Sequence, residues 1–245
     1  MSDIARRERL IAALDVPDAA QARAYAEKLG DAVKFYKIGL ELFTAGGYFE
    51  LLESLRSRGA KVFADLKLYD IPETVRRAVA NLRGSGATFL TVHAERSIME
   101  AAAREKGALK LLAVTVLTSF DRRNLAEMGY AGSVEDLVLQ RARAALESGC
   151  DGVIASGLEA PKIKAAFGTR LLVVTPGVRS AGTAAADQKR TVDVAQAFAN
   201  GADYIVVGRP IRDAADPHAA AMLAWIASAA ARGSAASRIG RPTTI

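Results

Sequence analysis

Eight short apolar runs punctuate the chain, and longer stretches with helically spaced apolar positions lie between them. The runs are RLIAALDV, VKFYKIG, KVFADLK, TFLTVHA, KLLAVTVLT, GVIAS, RLLVVTPGV and YIVVGRP. Their C-terminal ends fall near Asp15, Lys37, Asp65, His93, Thr118, Ser156, Pro176 and Gly208. This alternation predicts a parallel sheet with crossover helices. The helices carry their own punctuation. Residues 18–29 start at an Asp18 cap. Residues 71–83 are expected to open on Asp70 as N-cap, with Pro72 in the first turn and Glu73 closing a capping box. Residues 133–148 and 191–200 read as further helices, each ended by glycine.

Successive strand ends lie 20 to 38 residues apart, room for one helix and two loops but not for a second domain. Eight such units build either an open doubly wound sheet or a closed barrel. No GxGxxG follows the first strand, which counts against a dinucleotide-binding open sheet. Polar residues end nearly every strand, and a barrel gathers such ends into one site. The expected fold is therefore α/β, a single (β/α)8 barrel with a closed, eight-stranded parallel sheet. It should occupy residues 1–232, followed by a flexible tail, 233–245, that is small, polar and without periodicity. The 245-residue length suits such a barrel.

Composition narrows the function. The lone cysteine, Cys150, reads as a small buried hydrophobe and has no intramolecular partner. No apolar run approaches the roughly 20 residues that span a bilayer, and the N-terminus reads as a first strand rather than a signal peptide. A soluble cytoplasmic protein without membrane contact is expected. The net charge of +6 comes from scattered Lys and Arg without long basic runs. An anionic small substrate, together with an ordinary solvated surface, accounts for it, and nucleic-acid binding is not expected.

The densest chemistry lies in FADLKLYDIPETV, residues 63–75. Side chains two apart on a strand share a face, so Phe63, Asp65 and Lys67 should point together into the barrel. Buried charges there are costly unless paired or used. Lys37 ends the second strand and Asp70 follows the third, so two lysines and two aspartates can form an alternating array. Taken singly, an Asp-x-Lys is an ordinary ion pair and Asp70 an ordinary cap; together at one barrel end they point to catalysis. His93 reads as a structural histidine at least as readily as a substrate contact.

In order, ALDV (13–16), YKIG (36–39), DLKLYDIPETV (65–75), TVHA (91–94), VTVLTS (114–119), TPGVR (175–179), DQKR (187–190) and VGRPI (207–211) resemble the orotidine 5'-phosphate decarboxylase family. The likeness runs from about residue 9 to residue 230. It implies a cofactor-free and metal-free decarboxylase that converts orotidine 5'-phosphate to uridine 5'-phosphate. Lys67 would protonate C6 of the pyrimidine, in an array with Asp65, Lys37 and a partner subunit's Asp70. Asp15 and Lys37 would hold ribose hydroxyls, Thr74 would reach the same ligand across a homodimer interface, and Thr118 would bond the pyrimidine amide. Gln188 and Arg209, with backbone N–H groups near Gly208, would hold the phosphate, with Pro176 and Arg179 beside it. The Gly- and Ala-rich stretch after the seventh strand suits a lid over that phosphate.

Two rivals share the scaffold. A Mg-dependent 3-keto-gulonate 6-phosphate decarboxylase or hexulose phosphate synthase would place a metal-binding glutamate where this chain has Lys37, which repels a cation. A non-catalytic phosphate-ligand or RNA-binding barrel would keep basic loops but has no reason to gather Asp65, Lys67 and Lys37.

Overall fold

The computed structural model describes residue 4 and residues 6–179 and 190–236. Ten strands are present among them: β1 (Leu10–Ala13), β2 (Phe35–Gly39), β3 (Lys61–Leu68), β4 (Phe89–His93), β5 (Lys110–Val114), β6 (Gly152–Ile154), β7 (Leu172–Thr175), β8 (Val178–Arg179), β9 (Val192–Asp193) and β10 (Tyr204–Val207). All but β8 and β9 close a parallel barrel, in which β10 pairs with β1 to complete the ring. The expected (β/α)8 barrel is what the chain forms. The helices are α1 (Ala19–Leu29), α2 (Leu40–Ala45), α3 (Tyr48–Ser57), α4 (Pro72–Leu82), α5 (Arg96–Glu105), α6 (Arg122–Glu127), α7 (Val134–Glu147), α8 (Ala160–Phe167), α9 (Val194–Ala199), α10 (Arg209–Arg212) and α11 (Pro217–Ala236).

Period-2 alternation sorts each strand into two apolar layers. Ile11, Phe35, Phe63, Phe89, Leu112, Val174 and Tyr204 fill the barrel interior. Their neighbours, such as Leu10, Ala12, Tyr36, Ile38, Val62 and Leu90, pack outward against the helices. Inside, Phe35, Phe63, Phe89 and Tyr204 form tilted and edge-to-face contacts with ring centroids 5.0 to 5.9 Å apart. This aromatic plug seals the barrel and leaves its C-terminal mouth as the place where a ligand can enter.

Several elements differ from expectation for identifiable reasons. The cap of α4 is Ile71, without a side-chain bond, and not Asp70. A residue before proline is held extended, so Ile71, at φ −56° and ψ 147°, becomes the boundary and displaces Asp70 one position out. Asp70 instead accepts the Ile71 N–H at 2.6 Å. Glu73 closes no capping box; it pairs with Arg76 and Arg77, each at 2.8 Å. The fifth strand stops at Val114, so Thr118 lies in the following loop. The seventh breaks at Pro176–Gly177, where Gly177 takes φ 73°, and resumes as β8, which pairs with β9. The expected helix 191–200 therefore begins only at Val194, capped by Asp193 through the Gln196 N–H at 2.7 Å. Asp18 does cap α1, accepting from Gln21 N at 2.8 Å. The last helix continues to Ala236, past the expected boundary at residue 233, and residues 237–245 lie outside the described residues. Cys150 is buried, and burial pushes its thiol up to about 12, as befits an inert hydrophobe.

Candidate active site

A cavity of about 430 Å³ opens at the C-terminal ends of the barrel strands. Its floor is apolar, formed by Ala13, Phe63, Val114, Ile154 and Val206, which belong to or abut the interior plug. Above that floor stands a row of four charges. Lys37 Nζ, from β2, donates to Asp15 Oδ1 at 2.8 Å and lies 3.6 Å from Asp65 Oδ2. Lys67 Nζ reaches the same Asp65 oxygen at 2.8 Å. The sequence Asp15–Lys37–Asp65–Lys67 thus alternates in sign across three neighbouring strands. Gly39 leaves room for the central ammonium, because a Cβ there would sit 3.3 Å from Lys37 Nζ.

The row is held by burial and geometry together. Burial works against charge on Lys37, but Asp65 and Asp15 outweigh it and hold the ammonium above its ordinary value. Burial likewise pushes the Asp65 carboxyl up. Lys37 and Lys67, with hydrogen bonds from Lys67 and Thr91, overcome that and keep it below 3.8. Both groups are therefore charged at neutral pH. The outer members are more open. The Lys67 side chain is 33% exposed and Asp15 47%, against 11% for Lys37 and 12% for Asp65, so the two ends of the row face the cavity where a ligand would lie.

Lys67 does not reach this position by simple alternation. Between Ala64 and Leu68 the β3–β4 register slips. At this bulge Lys67 takes φ +47°, the left-handed value that β-strands avoid, and among the described residues no other non-glycine does so. The strain is held by Thr91 on β4, which is fully buried. Thr91 Oγ1 accepts the Lys67 N–H at 2.9 Å and donates to Asp65 Oδ1 at 2.9 Å. One hydroxyl thus fixes both the backbone that aims Lys67 and the carboxylate that pairs with it. Such strain at an over-determined position is typical of a working site. Thr91 was not singled out from the sequence, although it lies two residues from Phe89, which points into the barrel.

The other sequence candidates divide. Thr118, Pro176, Arg179, Gly208 and Arg209 all line the cavity, on the side opened by the ends of β5, β7 and β10. Gln188 lies outside the described residues, as does most of the expected lid. Asp70 and Thr74 are exposed and do not line the cavity of their own chain. His93 is half-buried against the Tyr69 ring, 4.8 Å between centroids, and does not line the cavity. Burial, with Arg141 and Lys67 nearby, lowers its pKa and keeps it neutral. Arg212, unremarked in the sequence, lines the cavity and donates to the Asp15 carbonyl at 2.7 Å, tying α10 to the first strand end. Among the described residues no group of three or more His, Cys, Asp or Glu is placed to hold a metal ion.

The sequence comparison decides the lineage: the model of the Orotidine 5'-phosphate decarboxylase / HUMPS family matches residues 8–223. The chain belongs to the orotidine 5'-phosphate decarboxylase family. Among its relatives, the orotidine 5'-phosphate decarboxylase of Methylococcus capsulatus is 56% identical over 218 residues, covering 89% of this chain and 90% of that protein. That of Rhodopseudomonas palustris is 52% identical over 234 residues, covering 95% and 98%. The crystal structure of orotidine 5'-phosphate decarboxylase from Lactobacillus acidophilus superposes with a TM-score of 0.79 at 37% identity, over 90% of this chain and 99% of that one. The Pyrococcus horikoshii enzyme gives 0.70 at 26% identity, over 90% and 99%. The barrel that holds this chain's charge row is thus shared with those two structures over 90% of the chain.

Proposed function

We propose that this chain decarboxylates orotidine 5'-phosphate to uridine 5'-phosphate and carbon dioxide, and that the alternating row Asp15–Lys37–Asp65–Lys67 carries the chemistry. The supporting observation is this row's position between an apolar floor and a rim that bears Arg179 and Arg209. The rim suits a phosphate, and the floor suits an uncharged ring.

The reaction breaks the C6–carboxylate bond and leaves its electron pair on a vinylic carbon. Lys67 Nζ faces that carbon as a fixed cation, stabilises the developing negative charge, and transfers its proton to C6. Solvent then restores the ammonium. At an effective dielectric of 20 and a separation near 4 Å, one such contact is worth about 4 kcal/mol. Barrier reductions of roughly 8–23 kcal/mol are common in enzymes, so the remainder falls to binding. Contacts by Arg209 and the Gly208 backbone with the phosphate, and by Gln188, hold the remote end of the ligand. Asp15 and Lys37 hold the ribose, and Thr118 holds the pyrimidine amide, with Pro176 and Arg179 shaping the wall. That remote binding aligns C6 over Lys67. Asp65, 2.8 Å from Lys67 Nζ, keeps Lys67 oriented until the proton leaves.

The working unit is a cytoplasmic homodimer in which the partner subunit supplies Asp70 and Thr74. Supporting this, Asp70 and Thr74 are exposed, as are the apolar side chains Leu40, Phe43, Tyr69 and Ile71, which follow β2 and β3 at the same end of the barrel as the cavity. No cofactor or metal takes part. The test is an ultraviolet assay with orotidine 5'-phosphate, with and without EDTA. Loss of substrate absorbance unaffected by chelator is expected. Absence of turnover, or inhibition by EDTA that Mg²⁺ reverses, contradicts the reading.

A further inference from the structure

The buried ion pair of Arg190 and Glu159 lies outside the charge row and has no part in the chemistry above. Both side chains are nearly inaccessible, at 9% and 4% exposure. Arg190 Nη1 donates to Glu159 Oε1. The rest of the guanidinium is spent on main chain: Nη2 donates to Val116 O at 3.1 Å and Leu117 O at 3.0 Å, and Nε to Phe120 O at 3.1 Å. Arg190 is itself anchored, because Ser156 Oγ donates to its carbonyl at 3.0 Å.

The three carbonyls belong to one five-residue stretch between β5 and α6. That stretch has left the barrel ladder and forms no strand or helix. Carbonyls that have left a ladder need donors from elsewhere, and among the described residues only Leu117 O of these three also accepts a main-chain N–H, that of Phe120. Arginine can serve several at once because its planar fork presents five donors and never loses its charge. The same stretch carries Val116, Leu117, Thr118 and Ser119 into the cavity wall. Two residues beyond Arg190, β9 pairs with β8, whose Val178 and Arg179 also line the cavity.

We infer that Arg190 is a positioning residue of the decarboxylation, holding the main chain of Val116–Phe120 so that Thr118 meets the pyrimidine, and joining that wall to the β8–β9 ribbon. This rests on the proposed activity. Glu159 serves as the counter-charge that permits the guanidinium to be buried.

A lysine at this position keeps the charge but not the fork. Arg190→Lys should lower kcat/KM for orotidine 5'-phosphate roughly 10- to 100-fold, the scale on which a small displacement of a positioned group acts. Its circular dichroism should be unchanged. In a Thr118→Val background the same substitution should cost less than about 3-fold, because its effect passes through Thr118. Equal losses in both backgrounds would mean a general brace and overturn the inference. A wild-type protein without decarboxylase activity overturns the parent reading and this one together, so the two failures are told apart. Should Arg190→Lys fail to fold, amide exchange of the ligand-free wild type decides. The Phe120 N–H, bonded to Leu117 O at 2.8 Å, should exchange slowly, and exchange at the rate of an unstructured chain sinks the idea.

Discussion

Replacing Lys37 with methionine tests the charge row as a physical unit. The substitution nearly preserves volume but removes the cation between Asp15 and Asp65, which lie 2.8 and 3.6 Å from its ammonium. Asp65 is buried and would keep Lys67 as its cationic partner. Breaking a buried pair by deleting one member costs about 3–5 kcal/mol. For a chain of this size each kcal/mol moves the melting temperature by roughly 2–4 °C, so a drop of roughly 6 to 20 °C is expected at pH 7. The pH dependence carries a sign. Asp65 is held below 3.8 when folded, so its stabilisation is present above that value and is lost as pH falls through the folded pKa. Lys37 is held above 10.5, so its contribution is present below that value and is lost as pH rises through the folded pKa. The gap between wild type and variant should therefore be widest near neutrality and narrow below about pH 4. Thermal melts of both proteins across pH 3.5 to 8 measure it. A gap under 2 °C at pH 7, or one that does not narrow in acid, refutes the electrostatic account of the row.

Two further outcomes follow from neighbouring contacts. Thr91→Val removes the hydroxyl shared by the Lys67 N–H and the Asp65 carboxylate. It should cost about 1–3 kcal/mol of stability in denaturant titration and lower kcat more than it raises KM, whereas an unchanged kcat would separate the Lys67 backbone from catalysis. Mixing Lys67→Ala and Asp70→Ala proteins should restore part of the lost turnover, since a mixed dimer would hold one site with neither substitution. No recovery after subunit exchange has been verified by native mass spectrometry would place both residues in a single chain's site.

Much of this was legible in the chain. Period-2 runs separated by helical stretches specify the barrel, and the interior and exterior residues alternate as the pattern requires. Asp65 and Lys67 do share the cavity, yet the reason is only partly the pleat. Lys67 is aimed by a bulge and a left-handed backbone that alternation does not encode. The Asp70 cap failed because Pro72 constrains the residue before it more strongly than an aspartate attracts a helix start. The apolar VTVL carries the expected fifth strand past Val114, where the pairing of β5 with β6 ends without any change in hydrophobicity. Thr91 was within reach, as the residue two positions on from an inward Phe89. Arg190 and Arg212 were not, because their roles arise from carbonyls 70 or more residues away in sequence.

The most direct test of the central claim is Lys67→Ala, assayed for turnover of orotidine 5'-phosphate and, separately, for uridine 5'-phosphate affinity by calorimetry. Losing one close charge, about 4 kcal/mol, and a proton donor worth roughly 10²–10⁴-fold should together lower kcat by roughly 10⁵-fold or more, while product affinity changes less than about 10-fold because the phosphate and ribose contacts remain. Turnover within about 10-fold of wild type would contradict the account.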